Sequence, residues 1–306
     1  MAGHAWWGAT QWAAYLVHQE QPIKAASKMA LRELEITGGD TLSAHAYAGL
    51  MLDDPMLALR LIKAANDRMP RRMARDITTP LGVVMALGTD ALRRLIETAP
   101  EVSPDNVGFM TCEARYALAA RIAAAWGALH YDMDASELAM AALLANAGEV
   151  ELWAIAPELP QRALDELKSG RAERSEAAQR QACGFAFLDI TLLLIDAWSL
   201  PQLIRQLIRG DEGQRARLAR LAVNTARHLS NGADDPALPD DMREAAKLTG
   251  ATLGQVVAAL PDIGAAEKAA LLTIVEPPEQ PASPLSANAG VGDSGDAPAS
   301  MGTTQG

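Results

Sequence analysis

Apolar residues recur at helical spacing along almost the whole chain. Examples are the segment from Met56 to Asn66, the alanine-rich stretch from about Glu113 to His130, and the segment from Gln214 to Leu229. Apolar side chains three and four residues apart lie on one face of a helix, whereas a half-buried strand requires alternation. Alternation is confined to the short run from Val150 to Ile155. The pattern therefore predicts an all-α protein built from many helices.

Capping residues mark the helix boundaries in the first third of the chain. Asp54 is predicted to be an N-cap and Pro55 the first helical residue, where its missing N–H has no helical partner to lose. Asn66 follows at the end of the same helix, where it either closes the helix or bonds a neighbouring loop. Gly88 forms a tight break, and Thr89 is predicted to cap the next helix.

The segment from Asp134 to Trp153 is predicted to contain a buried central helix and the loop that ends it. Asp134 fits an N-cap, and Glu137 can complete a capping box with it. Gly148 stands where a left-handed C-cap is expected. The residues just before this glycine include no strong metal ligand and no general base. A position that would suit a catalytic centre is therefore predicted to be without one.

A second boundary is predicted at residues 198 to 201, Trp-Ser-Leu-Pro. Trp198 ends one helix and is expected in the core. Ser199 is predicted to cap the next helix, with Pro201 in its first turn.

Three segments of different composition are predicted along the chain. Residues 1–21 form an aromatic-rich N-terminal helix that docks on the body, or else a stacking platform or a partner-binding face. Residues 22–262 form the helical domain. Residues 276–306 are rich in Pro, Ser, Gly and Ala, and they are predicted to be a disordered tail because they offer too little apolar surface to offset the entropy of ordering.

Composition and charge exclude several classes of protein. The chain has 306 residues and a net charge of −11, which argues against broad affinity for nucleic acids or anionic membranes. Cys112 and Cys183 are too few for a disulfide framework or a thiolate zinc site. No apolar run reaches the roughly 20 residues of a membrane helix, and no signal peptide is evident. We expect a cytoplasmic protein.

Several short motifs, in their order and spacing, resemble the HDOD family, the HD-related output domain of bacterial signalling proteins. They are Asp54-Pro55 with the helix to Asn66, Ile77 to Gly88, Leu143-Leu144 up to Gly148, Gly184-Phe185, and Trp198 to Pro201. The resemblance covers about residues 22 to 260. It implies an HD-like bundle of two packed helical lobes, one ending at about residue 107 and the other starting at about residue 108.

The family is similar to HD-type metal phosphohydrolases, in which histidines and a His-Asp pair hold a cation that activates water. At the positions where relatives carry these ligands, this chain has Ala145 and Asn146, then Phe187, then Asp211 followed by Glu212. Alanine and phenylalanine side chains cannot coordinate a metal. No catalytic residue, metal or cofactor is therefore predicted.

The leading hypothesis is a non-catalytic bacterial signalling module that binds another signalling protein or a small ligand, with its oligomeric state open. The candidate partner surface is a basic stripe of Arg217, Arg220 and Arg227. One alternative is a residual phosphohydrolase, acting on cyclic dinucleotides or nucleotides, with a rearranged metal site. A second alternative is a DNA-binding regulator, because helix, glycine turn, helix outlines occur around Gly88 and Gly250.

Overall fold

The fold is all-α, as the sequence predicts. A computed structural model describes residues 6–39, 42–69 and 77–275. These ranges contain seventeen α-helices and no β-strand, apart from one isolated parallel bridge between Ile23 and Glu101. The predicted C-terminal tail lies outside the described residues.

The helices follow one another with short connections. Their bounds are α1 Ala9–Val17, α2 Ala25–Gly38, α3 Ala44–Leu52, α4 Pro55–Asp67, α5 Pro80–Leu87, α6 Thr89–Glu97, α7 Val107–Gly127, α8 Ala135–Leu143, α9 Ala147–Ile155, α10 Glu158–Lys168, α11 Ser175–Cys183, α12 Phe187–Ala197, α13 Gln202–Arg209, α14 Gln214–Leu229, α15 Leu238–Thr249, α16 Leu253–Ala258 and α17 Ala265–Val275.

The core lies around the long helix α7, which packs against α8, α9 and α14. Phe109 and Trp126 on α7 are fully buried. Helix α8 is buried from Leu138 to Leu143 without interruption, so it runs through the core. Helix α4 is nearly as deeply buried and contacts α5, α7 and α9. Burial of this kind, rather than helical propensity, provides most of the stability of such a bundle.

The Asp54 cap forms as the sequence predicts, and it also joins two helices. Its Oδ1 accepts hydrogen bonds from the N–H groups of Met56 and Leu57, both at 3.0 Å. Its Oδ2 accepts a hydrogen bond from the Ser27 hydroxyl of α2 at 2.6 Å. The carboxylate is fully buried, and its hydrogen bonds offset the penalty of removing it from water. Asp54 therefore anchors α2 to the start of α4.

Two of the predicted N-caps are wrong. Ser199 does not cap α13, whose N-cap is Pro201 and whose first turn starts only at Gln202. Ser199 has a φ of 52°, in the left-handed region, directly after Trp198, the C-cap of α12. The N–H of Leu200 then bonds the Ile195 carbonyl at 3.0 Å, which makes a Schellman motif that closes α12. Thr89 is the first residue of α6 and does not precede it. Gly88, with a φ of 75°, occupies the N-cap.

Within the described ranges, no single helix has the length and apolar character needed to cross a membrane. Two sharply bent helix pairs, α8 with α9 and α11 with α12, reach that length and composition only when taken together.

Candidate functional site

Of the four positions that the resemblance matches with metal ligands, three lie where the α8–α9 connection faces the start of α12, and the fourth, Asp211, lies on the loop between α13 and α14. Ala145 and Phe187 are both buried. Asn146 is half-buried at the N-cap of α9, but its side chain makes no capping hydrogen bond. The aromatic rings of Phe185 and Phe187 lie 6.2 Å apart between centroids. Hydrocarbon therefore occupies two of the four positions.

Gly148 closes this region by letting two backbones touch. It does not cap α8, as the sequence pattern suggested, but lies inside the first turn of α9. A Cβ atom there would lie 2.7 Å from the Phe187 carbonyl oxygen and 2.8 Å from the Thr191 nitrogen. The Gly148 N–H donates to the Thr191 hydroxyl at 3.0 Å, and that hydroxyl bonds the Phe187 carbonyl at 3.4 Å. The contact is tight, and its polar groups are satisfied.

The residues at the four matched positions do not fit a metal ion. Asp211 is exposed on a loop, and its Oδ1 accepts a hydrogen bond from the Gly213 N–H at 2.8 Å. In the part of the chain that the structure describes, no three His, Cys, Asp or Glu side chains converge on one point. Divalent transition metals need several such donors. Asn146 alone, with an amide oxygen, does not provide them.

A second polar joint links α4 to the turn between α12 and α13. The Asn66 amide donates to the Trp198 carbonyl at 2.9 Å and to the Ser199 carbonyl at 3.0 Å. Trp198 is 4% exposed, and the Lys63 ammonium lies 5.5 Å from its ring centroid. The sequence left open whether Asn66 closes its own helix or bonds a neighbouring loop, and the structure shows the second.

Buried polar atoms without hydrogen-bond partners occur in this joint and on helix α9. They are Asn66 Oδ1, Trp198 Nε1 and both carboxylate oxygens of Glu151 on α9. Glu151 is fully buried, and burial raises the pKa of its carboxyl to about 8, although Lys63 and Gln21 oppose the increase. The sequence reasoning missed Glu151, because no local signal separates it from the exposed acidic residues of neighbouring helices.

A further polar cluster lies on the opposite side of α9. The Tyr116 hydroxyl donates to Glu149 Oε2 at 2.6 Å, and Arg115 pairs with the same carboxylate at 3.2 Å. Burial is the main cause that raises the pKa of both Tyr116 and Cys112. The cluster is internally paired and fastens α9 to α7.

The arginine stripe on α14 is only partly available to a partner. Arg217 pairs with Glu244 of α15. Arg220 lies near the Leu207 and Asp211 carbonyls, at 3.4 and 3.5 Å. Arg227 is exposed, next to His228. The three side chains therefore do not form one continuous basic surface.

Two broad surface grooves flank α7 and share Ala114. One, of about 500 Å³, lies towards Ser230 and is lined by Val107, Met110 and Leu118, with Arg115 at its wall. The other, of about 380 Å³, lies between α7 and α2.

The comparisons with known proteins agree with this fold. The profile of the HDOD domain matches residues 23–212. The chain belongs to the HDOD family.

Two solved structures share the fold at low sequence identity. The MmoQ response regulator from Methylococcus capsulatus is 22% identical, with a TM-score of 0.61 over 80% of this chain and 100% of that chain. A virulence factor (cj0248) from Campylobacter jejuni is 17% identical, with a TM-score of 0.62 over 86% of this chain and 98% of that chain. No curated protein matches this chain in sequence.

Proposed function

We propose that this chain is a non-catalytic regulatory module that acts by binding another signalling protein or a small ligand. The observation that carries the proposal is the sealed contact between α9 and α12. Ala145 and Phe187 are buried there, and Gly148 lies against the α12 backbone. A metal hydrolase needs the opposite arrangement, an open position with several donors around a cation that activates water.

Membership in a family of output domains supports a role in signalling. Because fold alone does not define function, the proposal depends on the side chains at the former ligand positions. Apolar side chains at these positions exclude metal chemistry there but preserve the helical fold and its surface, which can bind a partner. We therefore expect binding on the surface of the bundle and not in its interior.

Metal analysis together with an activity assay tests the non-catalytic part of the proposal. Purified protein would be incubated with Mn²⁺, Fe²⁺ or Zn²⁺, desalted, and assayed with cyclic dinucleotides and a generic phosphodiester. We expect less than stoichiometric metal and no hydrolysis above the rate of an Asn146→Ala control. Stoichiometric metal with hydrolysis that the Asn146→Ala substitution abolishes would contradict the proposal and favour a rearranged phosphohydrolase site.

Affinity capture of the full chain from its native cells, followed by binding measurements with the purified candidate, tests the partner. If the α14 stripe takes part, Arg227→Glu weakens binding, because this arginine is exposed. Arg217→Glu is the matched substitution, and it is expected to act mainly through the lost pair with Glu244 and therefore on stability. Equal affinity of wild type and Arg227→Glu would show that the partner binds another face of the protein.

Retention on DNA at dilute and physiological salt tests the remaining alternative, because phosphate contacts are strongly salt-dependent. We expect no retention. Arg93, in the first helix-turn-helix outline, is already paired with Glu35.

A further inference from the structure

Glu151 is a buried acidic residue in the middle of α9. Its helix, α9, packs against α12, α7, α10, α4 and α1. The side chain is fully buried, and neither oxygen accepts a hydrogen bond of normal geometry. The Gln21 side chain, from the connection between α1 and α2, lies close enough for a weak hydrogen bond that lowers the pKa of the carboxyl but does not offset its burial. A buried carboxylate without hydrogen bonds is strongly unfavourable, so a group in this position remains neutral as far as pH allows.

Lys63 connects this carboxyl to the N-terminal helix. Its ammonium donates to the Val17 carbonyl at 3.0 Å, and Val17 is the last residue of α1. The last carbonyls of a helix have no partner within the helix, and a cation at this end is stabilising. Lys63 therefore holds the C-terminal end of α1 while it also acts electrostatically on Glu151.

Helix α1 is bound to the body by a small apolar face. Trp12, Ala13 and Leu16 are its buried residues, and they pack mainly on α12 and to a smaller extent on α9. An element of this size is a natural unit for local opening.

We propose that Glu151 is a proton-controlled latch for α1. With the carboxyl neutral, Lys63 stays on Val17, and α1 covers α9. With the carboxyl ionised, Lys63 is drawn from Val17 towards Glu151, and water gains access when α1 and the connection to α2 lift away. Release would expose the face of α1 that contains Trp12 and Leu16. This inference goes beyond the binding role proposed above and does not depend on it.

The direction of the pH effect follows from the groups around Glu151. Among the described residues, Lys63 of α4 is the charged group that acts on it, and Gln21 is the neutral polar one; α1, α7, α10 and α12 bring no charged group to bear. The pKa of the carboxyl is about 8 with α1 docked, and it returns towards its ordinary value of about 4.3 in water. Docking is therefore fully favoured at low pH, weakens by about tenfold per pH unit up to about pH 8, and then levels off.

Hydrogen exchange followed by mass spectrometry tests the latch on the full chain. Protection factors, corrected for the intrinsic pH dependence of exchange, would be measured between pH 6 and 9 for amides of α1 and α7. We expect α1 protection to fall by about tenfold per unit between pH 6 and 8, with α1 exchanging ahead of α7 throughout. Glu151→Gln should abolish the pH dependence in α1, and Glu158→Gln, an exposed carboxylate on the next helix, should preserve it.

Two further variants keep the test decisive. Glu151→Met also lacks the titrating group and replaces Glu151→Gln if the amide is not accommodated. Lys63→Met should lower α1 protection already at pH 6. Three results would overturn the latch: α1 protection that does not change with pH in the wild type, the same pH dependence without a carboxyl at position 151, or α1 amides that never exchange ahead of α7.

Discussion

Two joints in the bundle differ in whether their polar groups are paired. At the first, Gly148 of α9 meets α12 in a contact where the N–H, hydroxyl and carbonyl groups are paired. At the second, between α4 and the turn after α12, Asn66 Oδ1 and Trp198 Nε1 have no partner, and neither do the two oxygens of the buried Glu151 on α9. The first joint contains positions that the resemblance to HD-type hydrolases matches with metal ligands, and the second contains Lys63, which bonds the end of the N-terminal helix.

At the first joint, Ala145 and Phe187 are buried and the polar groups around Gly148 are paired. A half-filled centre would leave buried donors without partners, whereas none of the unpaired side-chain atoms in the described residues belongs to Ala145, Asn146 or Phe187. The unpaired buried atoms of the described residues belong instead to Asn66, Arg121, Glu151 and Trp198. Buried groups of this kind often indicate a functional element.

Trp198→Ala should have the largest effect, because it removes the main apolar side chain of the second joint. We expect a loss of about 3–5 kcal/mol in the free energy of unfolding, measured by chemical denaturation. Tyr131→Ala is the control, since Tyr131 is 98% exposed, and should change stability by less than about 0.5 kcal/mol. A Trp198→Ala midpoint equal to that of the wild type would refute its role in the core.

Gly148→Ala tests the closed joint. The new Cβ would lie 2.7 Å from the Phe187 carbonyl oxygen and 2.9 Å from the Ile190 Cβ, so α9 and α12 must separate. We expect a loss of about 3 kcal/mol. Gly49→Ala in α3 is the matched control, because a Cβ added at position 49 meets no neighbouring atom within 4 Å. This variant should gain about 0.5–1 kcal/mol in stability. Losses of equal size at both glycines would mean that the close approach is not what Gly148 provides.

Asn66→Ala tests the hydrogen bonds of the second joint. It leaves the Trp198 and Ser199 carbonyls without the amide donor, for an expected loss of about 2 kcal/mol. Asn66→Asp should lose more at neutral pH, since a carboxylate would face two carbonyl oxygens, and the difference should shrink below about pH 4 as the acid protonates. Equal stability of the two variants at pH 7 would contradict this geometry.

Glu151→Gln should change how stability depends on pH. The pKa of Glu151 is raised to about 8, so the native state of the wild type holds its proton longer than the unfolded chain does. Stability is then greatest below about pH 4 with respect to this group and falls by up to about 1.4 kcal/mol per pH unit until about pH 8. Denaturation at several pH values should show this slope reduced in Glu151→Gln. Parallel curves for the two proteins would exclude an ionising carboxyl at this position.

The sequence predicts most of the helices, because apolar spacing and caps such as Asp54 are local. The prediction that Gly148 ends a helix is wrong. In the sequence, a glycine that ends a helix cannot be distinguished from one that allows close contact with the backbone of another helix. The prediction that Ser199 caps α13 is also wrong. The hydrogen bond from Leu200 to Ile195 makes this segment the end of α12, and the sequence Ser-Leu-Pro does not indicate such a bond.

The candidate site divides in the same way. The absence of donors at Ala145 and Phe187 could be inferred from the resemblance to the family. Burial of Glu151 could not be inferred, because it depends on α4 and α1 meeting α9 from distant parts of the chain. The pairing of Arg217 with Glu244 likewise arises only when α15 folds against α14.

Anomalous diffraction from crystals grown with Mn²⁺ tests the central claim most directly. We expect no anomalous peak beside Asn146, with the Ala145 and Phe187 side chains filling the space between α8, α9 and α12. A well-ordered peak at that position, with Asn146 and other side chains at coordination distance, would contradict the proposal and favour a metal-dependent hydrolase.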